Sequence, residues 1–269
     1  MLIWVCALHC EAKPVIDFYR LKKSHDDTAY DLYRGQDMAC IVSGPGKLAS
    51  AAATAWIAGR QQQTASLTWI NLGCAGAAEH DIGSIFVLNR VIDADTGQAY
   101  YPVPLGRNAL PGHAGLTLSR ASTDYRDEYL FDMEASGFMQ SALRISSAEL
   151  VRCLKVVSDN RRTQTGRNRQ QISNLIYHHI DALDAEAQAL LALNRRIGAL
   201  EIAPETWRAF TELAHFSQTE KNRLRGLLRY LLNRDQDSDE LLERLGAHST
   251  ARAIIDQLER LSRRDSEGL

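Results

Sequence analysis

The chain has 269 residues, 45 % of them apolar, enough for one full hydrophobic core with material left over for something smaller. Its formal charge of -2 sets up no global field that would draw in nucleic acid or an anionic membrane surface, so neither is an expected partner. No stretch reaches the roughly 20 apolar residues of a membrane span, and Cys6, Cys10, Cys40, Cys74 and Cys153 form no metal-type C-x-x-C pair, which reads as reduced thiols in a cytoplasmic protein.

The opening "MLIWVCALHC" is apolar for only about eight residues, lacks a basic leader and runs into Glu11, so residues 2–8 read as a first strand rather than a signal peptide. A helix is expected over 11–20, with Pro14 early, where proline is tolerated. Residues 38–42 form the next strand, and "SGPGKLASAAATAWIAG" reads as a glycine turn feeding an alanine-rich helix that packs closely on a sheet. This turn is no phosphate loop: in the G-x-x-x-x-G-K-[ST] frame, Ile41 replaces the first glycine and Leu48 the hydroxyl residue. Further strands are expected over 67–72, 84–91, 115–119 and 153–157, with a helix over 133–143. Such alternation predicts an α/β fold with a mixed, mostly parallel twisted sheet flanked by helices.

From about residue 170 the strand signals stop. Ile172, Leu175, Ile176, Ile180, Leu183 and Ala187 mark one long amphipathic helix, without ligand spacing around His178 and His179. Pro204 begins a helix carrying Trp207, Phe210 and Leu213; Leu224, Leu227, Leu228 and Leu231 stripe a second; Ser238 is positioned to cap a third ending at Gly246, and Ser249 a fourth. The closing "RRDSEGL" is expected to fray. The division predicted is an α/β domain over 1–192 and a C-terminal all-helical extension over 193–269, whose "TEKNRLRGLLRYLLNR" is read as an amphipathic helix and not as a DNA reader.

The chemistry-bearing residues are carboxylates. Asp159 ends a short buried strand, Glu11 follows the first strand in the same way, and Glu134 stands in "FDMEASGF". Ligands of open α/β sheets gather beyond the carboxyl ends of strands, and a largely buried cleft there can keep one carboxyl neutral and another ionised. Each has a plainer explanation as well, since Glu11 and Glu134 suit a helix N-terminus and Asp159 suits a turn.

Five segments in order, "ALHCEAKPVI", "VSGPGKLASAAAT", "INLGCAGAAEHDIGSIFVLNRVIDAD", "DMEAS" and "VVSDN", resemble the nucleoside phosphorylase/nucleosidase family, and within it the methylthioadenosine/S-adenosylhomocysteine nucleosidase branch. The resemblance spans about residues 1–192. It implies a nucleosidase that hydrolyses the N-glycosidic bond of a purine nucleoside, modified at the 5′ position, with no cofactor and no metal. Asp159 would protonate the leaving base, Ser158 would orient it, Glu11 would activate water, Glu134 would hold the ribose hydroxyls and Met133 would pack on the sugar. Cys74 and Lys155 are carried over as substrate-side positions, although the branch often has serine at the first and usually arginine at the second.

Phosphorolysis needs fixed cationic donors for phosphate. Where phosphorylases of the family carry an arginine in the "NLGCAG" segment, this chain has Asn71, so water is favoured over phosphate as nucleophile. The alternatives kept are a purine nucleoside phosphorylase and a non-catalytic nucleoside-binding protein that uses its helical extension to engage a partner. A homodimer is expected because dimers are common in the resembled branch. "LTLSRAST" does not reproduce the branch's base-binding phenylalanine loop, so the resemblance leaves the base open. Tyr100 and Tyr101 read as local packing. Arg161, Arg162, Arg167 and Arg169 crowd the loop after Asp159, and Arg161 or Arg162 is expected to discriminate among 5′ substituents.

Overall fold

The computed structural model describes residues 1–25, 29–61, 67–103, 110–125, 128–163, 166–234 and 236–263, and the backbone of 264–267. The chain divides into two compact units, Met1–Arg195 and Arg196–Leu269.

The first unit is mixed α/β. Its elements are β1 (Leu2–Cys6), α1 (His9–Phe18), β2 (Lys22–Lys23), β3 (Asp31–Arg34), β4 (Met38–Val42), α2 (Lys47–Gly59), β5 (Thr68–Ala77), β6 (Ile85–Asp93), β7 (Ala99–Tyr100), β8 (Gly112–Thr117), β9 (Leu130–Asp132), α3 (Ala135–Ala142), β10 (Val151–Asn160), α4 (Arg169–Tyr177) and α5 (Ile180–Ala199), the last running across the boundary. β1 and β4 are uninterrupted apolar runs because helices cover both faces of the sheet there, and β1 is buried throughout. Parallel pairings join β1 to β4 and β5, β5 to β10, β6 to β8 and β8 to β9; the longest, β5 with β10, runs from Trp69↔Val151 to Ala77↔Asn160.

Antiparallel pairings of β10 with β6 and of β9 with β5 bend the sheet back on itself, so β5, β10, β6, β8 and β9 close into a ring. From that ring β1, β4, β3 and β2 extend as an open wing. Two apolar clusters fill the faces: one beneath α2 and α3, with Trp69, Phe138 and Met139, and one beneath α1, α4 and α5, with Trp4, Leu72, Leu154 and Leu183.

Strands β2, β3, β7 and β9 were not anticipated from the sequence; the first two are short and polar and the other two only two and three residues long, so none carries an apolar period. The long helix expected from residue 172 is two helices, starting earlier at Arg169 and interrupted at His178 and His179, where His179 Nε2 contacts the Gly83 carbonyl at 2.5 Å. The apolar period survives the break because Ile176, Ile180, Leu183 and Ala187 all reach the same cluster.

The second unit holds α6 (Pro204–Glu212), α7 (Gln218–Leu232), α8 (Ser238–Gly246) and α9 (Ala251–Glu267). Its own core gathers Phe210, Leu224, Leu228, Leu241, Ile254 and Leu258. Asp237, and not Ser238, caps α8, accepting from Asp239 and Glu240 N–H, and Thr250 rather than Ser249 accepts from Ala253 N–H at the start of α9. The expected frayed tail is helical to Glu267.

Candidate active site

Strands β1, β5 and β10 run parallel, and the cleft lies where all three deliver their carboxyl ends. Glu11, the third residue of α1, reaches back toward the sheet: Oε2 accepts from Leu8 N–H at 2.9 Å and Oε1 from Cys74 N–H at 2.8 Å. The glycine at 73 makes room for it, since a Cβ there would stand 3.1 Å from Oε1 and 3.5 Å from Lys155 Nζ. Burial pushes the Glu11 carboxyl up to about 7 and the Glu134 charge adds to this, against the pull of the two N–H donors and Lys155.

Glu134 stands at the N-cap position of α3, and its Oε1 accepts from Gly46 N–H at 2.7 Å. The glycine turn thus has a direct role: Gly46, at φ 98° where glycine alone is unstrained, aims its N–H at the carboxylate while its C=O starts α2. Burial raises the Glu134 pKa, with Lys155 opposing. Asp132, two residues earlier, anchors the segment, accepting from Ala135 N–H at 2.7 Å and from the Thr117 hydroxyl at 2.7 Å, with Lys155 Nζ 2.8 Å away. Lys155 is fully buried and meets Asp132 as an ion pair without hydrogen-bond alignment. Burial pulls the Lys155 pKa down, but Asp132 and Glu134 outweigh it and hold the lysine charged.

Asp159 owes its direction to a β-bulge. On a regular strand Ser158 and Asp159 would face opposite sides, but the register with β5 slips between Val157 and Asp159, and both side chains border the cleft. The Ser158 hydroxyl donates to Asp159 Oδ1 at 2.6 Å, and the Tyr125 hydroxyl donates to Oδ2. Burial raises the Asp159 pKa, opposed by Arg167. Tyr125 is buried against Phe131 and fits because Gly76 has no side chain: a Cβ there would come within 2.6 Å of the phenol.

The resulting cleft has a volume of about 410 Å³. Glu11, Cys74, Met133, Glu134, Ser158 and Asp159 all line it, whereas Lys155 lies behind its wall. Among the described residues, none that lines it is cationic. Tyr125, Phe131 and Asp132 also border it and were not singled out from the sequence. Asp132 was within reach as the first residue of "DMEAS"; Tyr125, one of two tyrosines in the polar stretch "STDYRDEY", carries no periodic or motif signal.

Other candidates fall elsewhere. Asn71 is buried and donates to the Val5 carbonyl, tying β5 to β1. Tyr100 borders a separate depression with Asp93, and Tyr101 is exposed. Arg161 pairs with Glu79 at 2.7 Å and donates to the Tyr125 carbonyl. Part of the "AYYPVPLGRNALPGH" segment, residues 104–109, lies outside the described residues. Among the described residues no group of three or more His, Cys, Asp or Glu is placed to hold a metal ion, and no helix is long and apolar enough to cross a membrane.

No protein-family model matches the chain, and no curated protein sequence does. Solved structures do. The 5′-methylthioadenosine nucleosidase of Arabidopsis thaliana in apo form superposes with a TM-score of 0.56 at 17 % identity, over 72 % of this chain and 95 % of its own. The MTA/SAH nucleosidase of Colwellia psychrerythraea in complex with adenine gives a TM-score of 0.51 at 19 % identity, over 68 % and 95 %. The Helicobacter pylori 5′-methylthioadenosine/S-adenosylhomocysteine nucleosidase with butyl-thio-DADMe-Immucillin-A gives 0.56 at 11 %, over 70 % and 97 %. The fold is that of these nucleosidases.

Proposed function

We propose that the protein hydrolyses the N-glycosidic bond of a purine nucleoside. The observation that carries this reading is the meeting of three carboxyl groups, the buried Glu11 and Glu134 and the partly buried Asp159, around one cleft of about 410 Å³ with no cation among the described residues of its lining. Structures of this fold hold adenine and a nucleoside-like inhibitor, which supports a nucleoside as the occupant.

Breaking the bond builds positive character on the ribose and negative charge on the departing base. Asp159, whose pKa is raised by burial, delivers a proton to the base as the C–N bond breaks. Met133 and Glu134 take the sugar, the carboxylate accepting from its hydroxyls and opposing the developing cation. Glu11, poised near neutrality, removes a proton from the water that attacks the anomeric carbon. The products are the free base and the free sugar, which keeps whatever substituent it carries. An anionic phosphate nucleophile would meet Glu11 and find no cationic donor among the described residues of the cleft wall, which favours water as the nucleophile. A homodimer is part of the same proposal, and sedimentation at micromolar concentration reads it out.

The test is a panel of purine nucleosides incubated with the protein, with chromatography for free base in the presence and absence of phosphate. Base release that does not depend on phosphate is expected. Phosphate-dependent formation of ribose 1-phosphate would replace hydrolysis by phosphorolysis, and binding of nucleosides without any base release would leave a binding protein.

A further inference from the structure

Beside the cleft lies a second cavity of about 510 Å³, and Leu8 borders both. Its wall is built from the start of α1 and the start of α4, and it contains Lys13, Arg167 and Arg169, together with His9 and no carboxylate. Arg167 donates Nε–H to the Ser158 carbonyl at 2.5 Å, which spends one of the five N–H groups of its guanidinium and fixes it next to the residue that holds Asp159. Lys13 shares its ammonium with Asp17 at 2.7 Å, an exposed pair one helical turn apart. Arg169 is exposed and occupies the first position of α4, where the helix dipole disfavours a cation. A solvated loop has no need to gather these charges around one cavity and place one against a dipole.

We propose that this cavity receives an anionic group of the phosphate type, carried by the nucleoside substrate. The inference rests on the nucleosidase reading of the cleft and deepens it by naming a charged substrate class. A planar guanidinium gains paired hydrogen bonds and charge from a phosphate but nothing comparable from a neutral thioether. The arginines with access to such a group are Arg167 and Arg169, since Arg161 is engaged by Glu79. Free phosphate presents the same chemistry, so the source has to be separated by experiment.

Calorimetry on the full chain would compare ribose, ribose 5-phosphate and inorganic phosphate, none of which carries a base to be cleaved. Ribose 5-phosphate is expected to bind about tenfold or more tightly than ribose, with an advantage that shrinks as salt rises. The Arg169→Gln, Lys13→Gln double variant should lose that advantage while its melting temperature stays within a few degrees of the parent. Equal affinity for the two sugars, or an advantage that survives the double variant, overturns the proposal. Base release from adenosine and from adenosine 5′-monophosphate then separates the two readings. Turnover of both with equal kcat/KM sinks the anion site and leaves the nucleosidase standing. Tight binding of ribose 5-phosphate with no base released from either sinks the nucleosidase reading and keeps the anion site. Stimulation of adenosine cleavage by free phosphate, lost in the double variant, would assign the cavity to the nucleophile and overturn a substrate-borne anion.

Discussion

At the scale of single residues, the cleft is organised by opposing effects on three carboxyl groups. Glu11 is desolvated but holds two backbone N–H donors, and the balance leaves it near 7, where a general base is half ionised at neutral pH. Base release should therefore rise with pH through about 7 on its acid side, and Glu11→Gln should lower it by about a hundredfold or more and remove that limb. The same shift has a stability consequence. Between the usual 4.5 and about 7 the folded protein keeps a proton that the unfolded chain has released, so stability falls as pH rises across that window, by about 3 kcal/mol in all. Thermal melts from pH 4.5 to 8 should show this slope in the parent and a flatter one in Glu11→Gln; parallel slopes would contradict the assignment. Tyr125 stabilises the ionised form of Asp159 by donating to it, so Tyr125→Phe should raise the Asp159 pKa further, a shift that the pH dependence of steady-state rates would register. Glu11, Glu134 and Asp159 were legible in the sequence because each ends or follows a readable element; Tyr125 and Gly46 were not assigned their contacts because both depend on neighbours distant along the chain.

At the scale of elements, α2 and α3 must touch closely for Gly46 to reach Glu134, and Gly137 is what permits it. A Cβ at 137 would lie 1.9 Å from the Lys47 carbonyl oxygen, a backbone atom that cannot step aside without moving the start of α2. Gly137→Ala should destabilise the protein by about 1–3 kcal/mol or more and, by drawing Gly46 away from Glu134, weaken nucleoside binding; chemical denaturation and calorimetry measure the two effects. Lys47 reinforces the junction through Asp93, which Ser136 also contacts at 2.8 Å. Lys155→Met would leave Asp132 buried without its cation and should cost about 3–5 kcal/mol in chemical denaturation. The alternation of strands and helices was legible from apolar periods, whereas closure of the ring was not. β9 is three residues long, β10 and β6 meet over Leu154–Val156, and the bulge at Ser158 has no signature beyond a polar pair at a strand end.

At the scale of the whole molecule, the apolar cores respect the division of the chain. The residues of the helical core all lie between Ile202 and Leu261, and those of the two sheet-face clusters between Met1 and Leu191. Residues 196–269 expressed alone should therefore give a helical circular dichroism spectrum with a cooperative melt, and a featureless thermal trace would contradict an independent core. What that unit does was not legible in its leucine stripes, because burying an apolar face within a bundle produces the same pattern as presenting it to a partner. For the first unit the central claim is that a proton held at Asp159 leaves with the base. Free base released from one purine nucleoside by the parent and by Asp159→Asn, followed side by side by chromatography, tests it most directly. Release by the parent and a loss of about a hundredfold to ten-thousandfold in the variant, with nucleoside binding retained, is the predicted result; equal release by both proteins would contradict it.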